Sequence, residues 1–165
     1  ILHQACNDHL QQMIHKKITM QSMVIFLFPM IIDAKDTILG RLSSYAAKQA
    51  LLGNKVDVIN CEECVISGRK HAVLGNYIKR IKRKAPGKGP YFYRRADMFV
   101  RRTIRGMLPF KMARGRDAFK NLKCHIGFPE NLKNEKVLTI EGARVDKLHS
   151  ADHLKVKDIC KAVGK

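Results

Sequence analysis

Between Arg69 and Lys123 the chain carries 18 lysines and arginines against two carboxylates, Asp97 and Asp117. Side chains of this kind suit phosphate oxygens. Lysine meets them as a point charge, and arginine bridges two oxygens with its planar fork. The whole chain has 165 residues and a formal net charge of +18, and this one segment holds +16 of it. A solvated charged surface normally mixes both signs, so so one-sided a segment points to a polyanion. Tyr91-Phe92-Tyr93 lie within it. They can stack on unpaired bases or pack on a core, and the residue types leave both open.

Other reactive side chains form weaker patterns. Cys61 and Cys64 have the spacing of a zinc or redox pair. A zinc site needs four ligands, and the only other spaced pair, His149 and His153, lies far downstream. The cysteines are therefore read as small residues beside a strand end. His71 and His125 are conceivable general bases, but nothing in sequence pairs them with a nucleophile. Asp97 and Asp117 suit local ion pairs or a helix cap. No glycine-rich phosphate loop or dinucleotide fingerprint occurs. The residues thus propose no catalytic group, metal, cofactor or small-molecule substrate. Five cysteines at scattered spacings are no secreted disulfide framework, which predicts a reducing, cytoplasmic location.

Elements must position these residues. Ile31–Ala34 reads as a buried strand, and Asp36-Thr37 as the cap of a helix over 38–52. That helix places Leu39, Leu42, Ala46 and Ala50 on one face, with Arg41 and Lys48 opposite. A second strand alternates over 55–60, a third is Val65-Ile66, and a fourth spans 124–127. The order predicts an α/β domain with a largely parallel sheet.

Residues 69–84 read as an amphipathic helix with Val73, Leu74, Tyr77, Ile78 and Ile81 inward. Glycine and proline break it over 85–90. A second such helix covers 94–108, with Phe99, Val100, Ile104, Met107 and Leu108 inward and Gly106 as a candidate end. A short helix is expected over 117–122, an extended segment over 137–140 and a terminal helix over 156–163. The candidate polyanion-binding residues on the first helix are Arg69, Lys79, Arg80, Lys82, Arg83 and Lys84. Lys88 follows in the loop. Arg94, Arg95, Arg101, Arg102 and Arg105 lie on the second helix, and Lys111, Arg114, Arg116 and Lys120 beyond it.

Arg101-Arg-Thr-Ile-Arg-Gly-Met-Leu-Pro109 resembles a run found in the universal large-subunit ribosomal protein family numbered thirteen. Leu39-Gly-Arg-Leu-Ser43, Val58-Ile-Asn60, Ile66-Ser-Gly68, Lys88-Gly-Pro90 and Arg114–Lys123 agree in order, in the style of the eukaryotic and archaeal branch. The resemblance implies a three-layer α/β/α domain on a four-stranded, mostly parallel sheet, with basic helical insertions and tails. It also implies a structural role on large-subunit ribosomal RNA, beside neighbouring large-subunit proteins, without catalysis or cofactor. It bears most directly on Arg101, Arg102, Arg105, Lys111, Arg114 and Arg116. Reversing the charge of Arg101 and Arg105 is expected to abolish incorporation and spare the fold.

Three segments follow. Residues 30–127 form the α/β RNA-binding core, and 128–165 a C-terminal extension with the terminal helix. Residues 1–29 are an extension of open role. Their apolar run Met23–Ile32 is interrupted by Pro29 and falls short of the roughly twenty residues that span a bilayer. No small-residue cleavage site follows it, against a signal peptide. Two rival readings remain. An RNA-modifying or RNA-cleaving enzyme with a basic docking face would show convergent titratable groups in a cleft. A membrane-surface protein would bind anionic vesicles as strongly as RNA.

Overall fold

The computed structural model describes residues 29–83, 87–89, 91–132, 135–148 and 152–164. The readings of residues 1–28, the candidate Lys84 and His149 lie outside these. The main sheet has four parallel strands in the order β4-β2-β1-β5, where β1 is Met30–Asp33, β2 Val56–Ile59, β4 Leu122–Cys124 and β5 Val137–Leu138. A parallel sheet needs cover on both faces, so β2 is buried along its whole length and β1 at its middle two residues. Ile31, Ile32, Val56, Val58 and Ile59 are fully buried. The alternation expected along β2 therefore does not appear as alternating exposure. Even Asp57 is buried, 3.6 Å from the His125 Nε2.

Among the described residues, five helices complete the expected three-layer α/β/α class: α1 (Leu39–Leu51), α2 (Lys70–Lys82), α3 (Ala96–Met107), α4 (Ala113–Lys120) and α5 (Val156–Gly164). The face of α1 is as expected, with Leu39, Leu42, Ala46 and Ala50 buried and Arg41 and Lys48 exposed. Its alanines let α1 pack against α3. The expected cap is absent. Asp36 adopts a left-handed φ of 49°, and the Thr37 hydroxyl turns back to donate to the Ala34 carbonyl. Thr37 is instead held by a bridge to Arg144, and Ile38 precedes the helix.

The strand at Val65 leaves the main sheet. Asn60, at φ 53°, and the 3-10 turn Cys61–Glu63 redirect the chain after β2. Val65–Ser67 (β3) then pairs antiparallel with His153–Lys155 (β6) in a separate two-stranded sheet. The fourth main-sheet strand comes instead from Val137–Leu138, beside β1. Long-range pairing of this kind leaves no trace in local periodicity.

Two further boundaries differ. The α4 helix begins at Ala113, not Asp117, and β4 starts at Leu122. Gly115 lies inside α4 at a position that only glycine fits, since a Cβ there would meet the Pro109 carbonyl oxygen at 2.1 Å. The α3 helix runs past Gly106 to Met107, and Met107 is exposed although its phase suggested the core. Leu108 is buried as expected.

Candidate nucleic-acid interface

The α2 helix has no fully buried residue, so its position depends on partial contacts. Tyr77 reaches Phe99 of α3 and Phe92 of the preceding segment, with ring centroids 5.2 and 5.7 Å apart. Phe92 and Phe99 close the triangle edge-on at 5.9 Å. The ambiguity of the aromatic trio thus divides by residue. Phe92 packs inward, whereas Tyr91 and Tyr93 stay exposed. Burial also pushes the Tyr77 hydroxyl pKa upward.

These rings also serve as seats for cations. The Arg80 guanidinium lies over Tyr77 at 5.5 Å, Arg102 over Phe92 at 4.9 Å, Arg101 over Phe119 at 4.6 Å and Arg105 over Phe110 at 4.0 Å. Arg102 also donates to the Tyr91 carbonyl at 2.8 Å. Each such contact contributes about 0.5–1 kcal/mol at a solvent-facing site. More usefully, it holds a long side chain still before any ligand arrives, which lowers the ordering cost of binding.

The other candidates sort by element. Lys79, Arg80, Lys82 and Arg83 are exposed at the end of α2, where three of them also complement the helix dipole. Lys88, Arg94, Lys111, Arg114 and Arg116 are exposed too. Three candidates face protein carboxylates. Arg95 forks onto Asp97 at 3.2 and 2.9 Å, Lys120 meets Asp117 at 3.2 Å, and Arg69 stands 3.9 Å from Asp152. Asp97 and Asp117 thus make the local ion pairs expected of them.

Tertiary structure gathers part of this set and disperses the rest. Arg80 of α2 and Arg83 just past its end meet Arg102 of α3 and Phe92 around a cleft of about 330 Å³. Arg102 also borders a second hollow, shared with Arg101 and Arg105. Arg114 lies apart, at a mainly apolar groove between α1 and Met107. Lys120 lies apart as well, in a hollow with Lys55 and Lys123 at the strand ends. Lys123 fell inside the basic segment and its role here was open to charge counting. Lys55 stands alone in sequence, and only the fold sets it beside Lys123.

Cys61 and Cys64 turn inward, whereas His71 is exposed. The Cys64 thiol donates to the Thr37 carbonyl at 3.3 Å, and burial pushes its pKa up to about 12. Cys61 is held protonated by its hydrogen bond with Cys124 and by burial. Neither thiol is poised as a nucleophile. Among the described residues, no cluster of three or more His, Cys, Asp or Glu could hold a metal ion, and no helix is long and apolar enough to cross a membrane.

A family model described as ribosomal protein L13 matches residues 29–131. A relative from Methanosarcina barkeri (strain Fusaro / DSM 804), named large ribosomal subunit protein uL13, is 42% identical over 135 residues, covering 81% of this chain and 96% of its own. Relatives of the same name from Methanopyrus kandleri and Archaeoglobus fulgidus are 42% and 43% identical, covering 72% and 74% of this chain and 77% and 78% of their own. With the parallel sheet, the paired basic helices and this extent of identity together, the chain belongs to the ribosomal protein L13 family.

Proposed function

We propose that this protein is a structural constituent of the large ribosomal subunit. Its basic surface, residues 69–123, binds and clamps large-subunit ribosomal RNA and so supports subunit assembly and translation. The observation that carries this reading is the convergence of Arg80, Arg83 and Arg102 from two helices, two of these guanidinium groups seated on aromatic rings. Fixed cations at short spacing neutralise phosphates of neighbouring backbone segments and recognise shape more than sequence. The names of the relatives support the same reading.

The protein acts as a cytoplasmic ribonucleoprotein component, beside other large-subunit proteins, without enzymatic activity, cofactor, membrane attachment or small-molecule substrate. Residues 30–127 form the RNA-binding unit, and 128–165 an extension folded back on it. Against an RNA-modifying enzyme stands the lining of the clefts between α2, α3 and α4. Arginines, aromatics and Met98 line them, and among the described residues no carboxylate or histidine does. Sedimentation of native extract after a moderate-salt wash, with the chain located by mass spectrometry, tests the proposal. The protein is expected in the large-subunit fraction, and its presence solely in non-ribosomal fractions overturns it.

A further inference from the structure

Arg101, Arg102 and Arg105 lie along α3 and border a hollow of about 240 Å³. Its volume falls below the roughly 300–1,000 Å³ of sites that enclose drug-sized ligands. Its walls are flat. Phe110 and Phe119 meet edge-on at 5.4 Å, and each carries a guanidinium on its face, Arg105 and Arg101 respectively. Tyr93 is a further wall and is 43% exposed. Among the described residues, none of the three arginines pairs with a carboxylate. The Arg101 Nε is buried and has no hydrogen-bond partner.

A hollow needed only for phosphate contact requires cations but no aromatic walls. One needed only for packing requires the rings but no uncompensated charge. Flat rings, guanidinium planes and net positive charge together match one ligand chemistry: a planar base attached to its phosphate. We propose that this hollow receives a single unstacked base of the bound RNA. The base stacks against the ring and guanidinium surfaces, while Arg105, the exposed member of the three, meets the adjoining phosphate. This proposal rests on the reading of the basic face as an RNA-binding surface. It adds that the face takes a splayed nucleotide as well as a duplex backbone. An acidic peptide segment would satisfy the charge but would leave the flat walls unmatched.

The test uses the full chain and two RNA hairpins of equal stem. One carries a single-nucleotide bulge occupied by 2-aminopurine, and the other is fully paired. The wild-type protein is expected to bind the bulged hairpin about tenfold more tightly, as stacking of one base supplies. Probe fluorescence should change on saturation. Tyr93→Leu replaces a flat, exposed wall of the hollow with an aliphatic one without altering charge. It should remove the tenfold preference and the fluorescence change, yet keep the affinity for the paired hairpin and its salt dependence. Tyr93→Ala, at an exposed side chain whose loss leaves the core intact, should weaken the preference in the same direction. Binding of the bulged hairpin with no probe response overturns the hollow as a base site and leaves the RNA-binding reading standing. A probe response undiminished in both variants places the base elsewhere, with the same result. Failure of the protein to bind either hairpin at low salt overturns both.

Discussion

Two glycines on neighbouring helices show how differently one residue type can be constrained. A Cβ at Gly115 would stand 2.1 Å from the Pro109 carbonyl oxygen and 2.4 Å from its carbon, and both atoms are backbone. Gly115→Ala should therefore destabilise the protein by about 3 kcal/mol, as overpacking does. A Cβ at Gly106 meets nothing within 4 Å. Gly106→Ala should stabilise by about 0.5–1 kcal/mol through helix propensity and the unfolded chain. Urea denaturation of both variants checks the opposed signs. Leu108, 6% exposed, closes the same segment, and Leu108→Asp should cost at least about 3 kcal/mol in the same assay. Arg101 needs a revised expectation. Its guanidinium is half-buried over Phe119, so a carboxylate there would disturb packing as well as charge. Arg101→Glu is not a clean test of RNA binding, whereas substitution at the exposed Arg105 is.

At the scale of elements, the C-terminal segment is held by carboxylates whose task is structural. Glu63, in the turn after β2, accepts from Lys157 at 2.9 Å and from Lys155 in a short hydrogen bond, and Lys155 also faces Asp36 at 3.4 Å. This joins β6 and α5 to the centre of the fold. The lysine hydrogen bonds hold the Glu63 carboxyl at about 2, below the ordinary carboxylate value. A lowered folded-state pKa stabilises fully above the unfolded value near 4.5 and is lost as pH falls towards 2. Lys155 is shifted upward by the same pairing, so its contribution is full below the usual lysine value and fades at higher pH. Glu63→Gln should cost about 1 kcal/mol at pH 7, at the upper end for partly exposed pairs. It should also flatten the loss of stability between pH 4.5 and 2, as urea midpoints across that range will report. Nearby, Glu62 accepts the Gly127 N–H through both carboxylate oxygens at 3.0 Å. Neither carboxylate drew notice in the sequence, because their partners lie far along the chain. The helices were more legible. The 3.6-residue period of α1, α3 and α5 is written in consecutive residues and survives into the structure, Met107 apart, whereas α2 fully buries none of its expected inward residues and leaves Ile78 exposed. The departure at the strand of Val65 occurs where a distant pairing overrides a local signal, whereas that at α4 turns on the close approach of Gly115 to the nearby Pro109 backbone.

At the scale of the whole molecule, a net charge of +18 makes the free protein self-repelling, and the proposed binding of RNA would relieve this by phosphate neutralisation. Affinity for RNA should therefore fall steeply with salt. Arg105, Lys111 and Arg116 are all exposed. Replacing the three with Glu should lower the slope of log affinity against log salt by about 2–3, given roughly 0.7–0.9 per phosphate contact. The melting temperature of the free variant should hold or rise, since repulsion within the basic face decreases. A filter-binding salt titration beside a thermal melt separates the two effects.

Composition and short-range order thus carried the polyanionic character expected of the partner, the class of fold and the phase of most helices. Charge and periodicity are properties of neighbouring residues, and folding does not erase them. Strand partnership was beyond their reach. The main sheet draws β5 from beyond residue 130, and β3 pairs with β6 near the end of the chain. Such pairings depend on the summed packing of segments far apart in sequence. The same holds for the cations. A list of basic residues does not distinguish Arg102, which three-dimensional packing sets between two hollows, from Arg95, which spends its fork on Asp97. Which charges stay available to a ligand is settled by where each side chain finds a ring or a carboxylate, and that is decided when the helices meet.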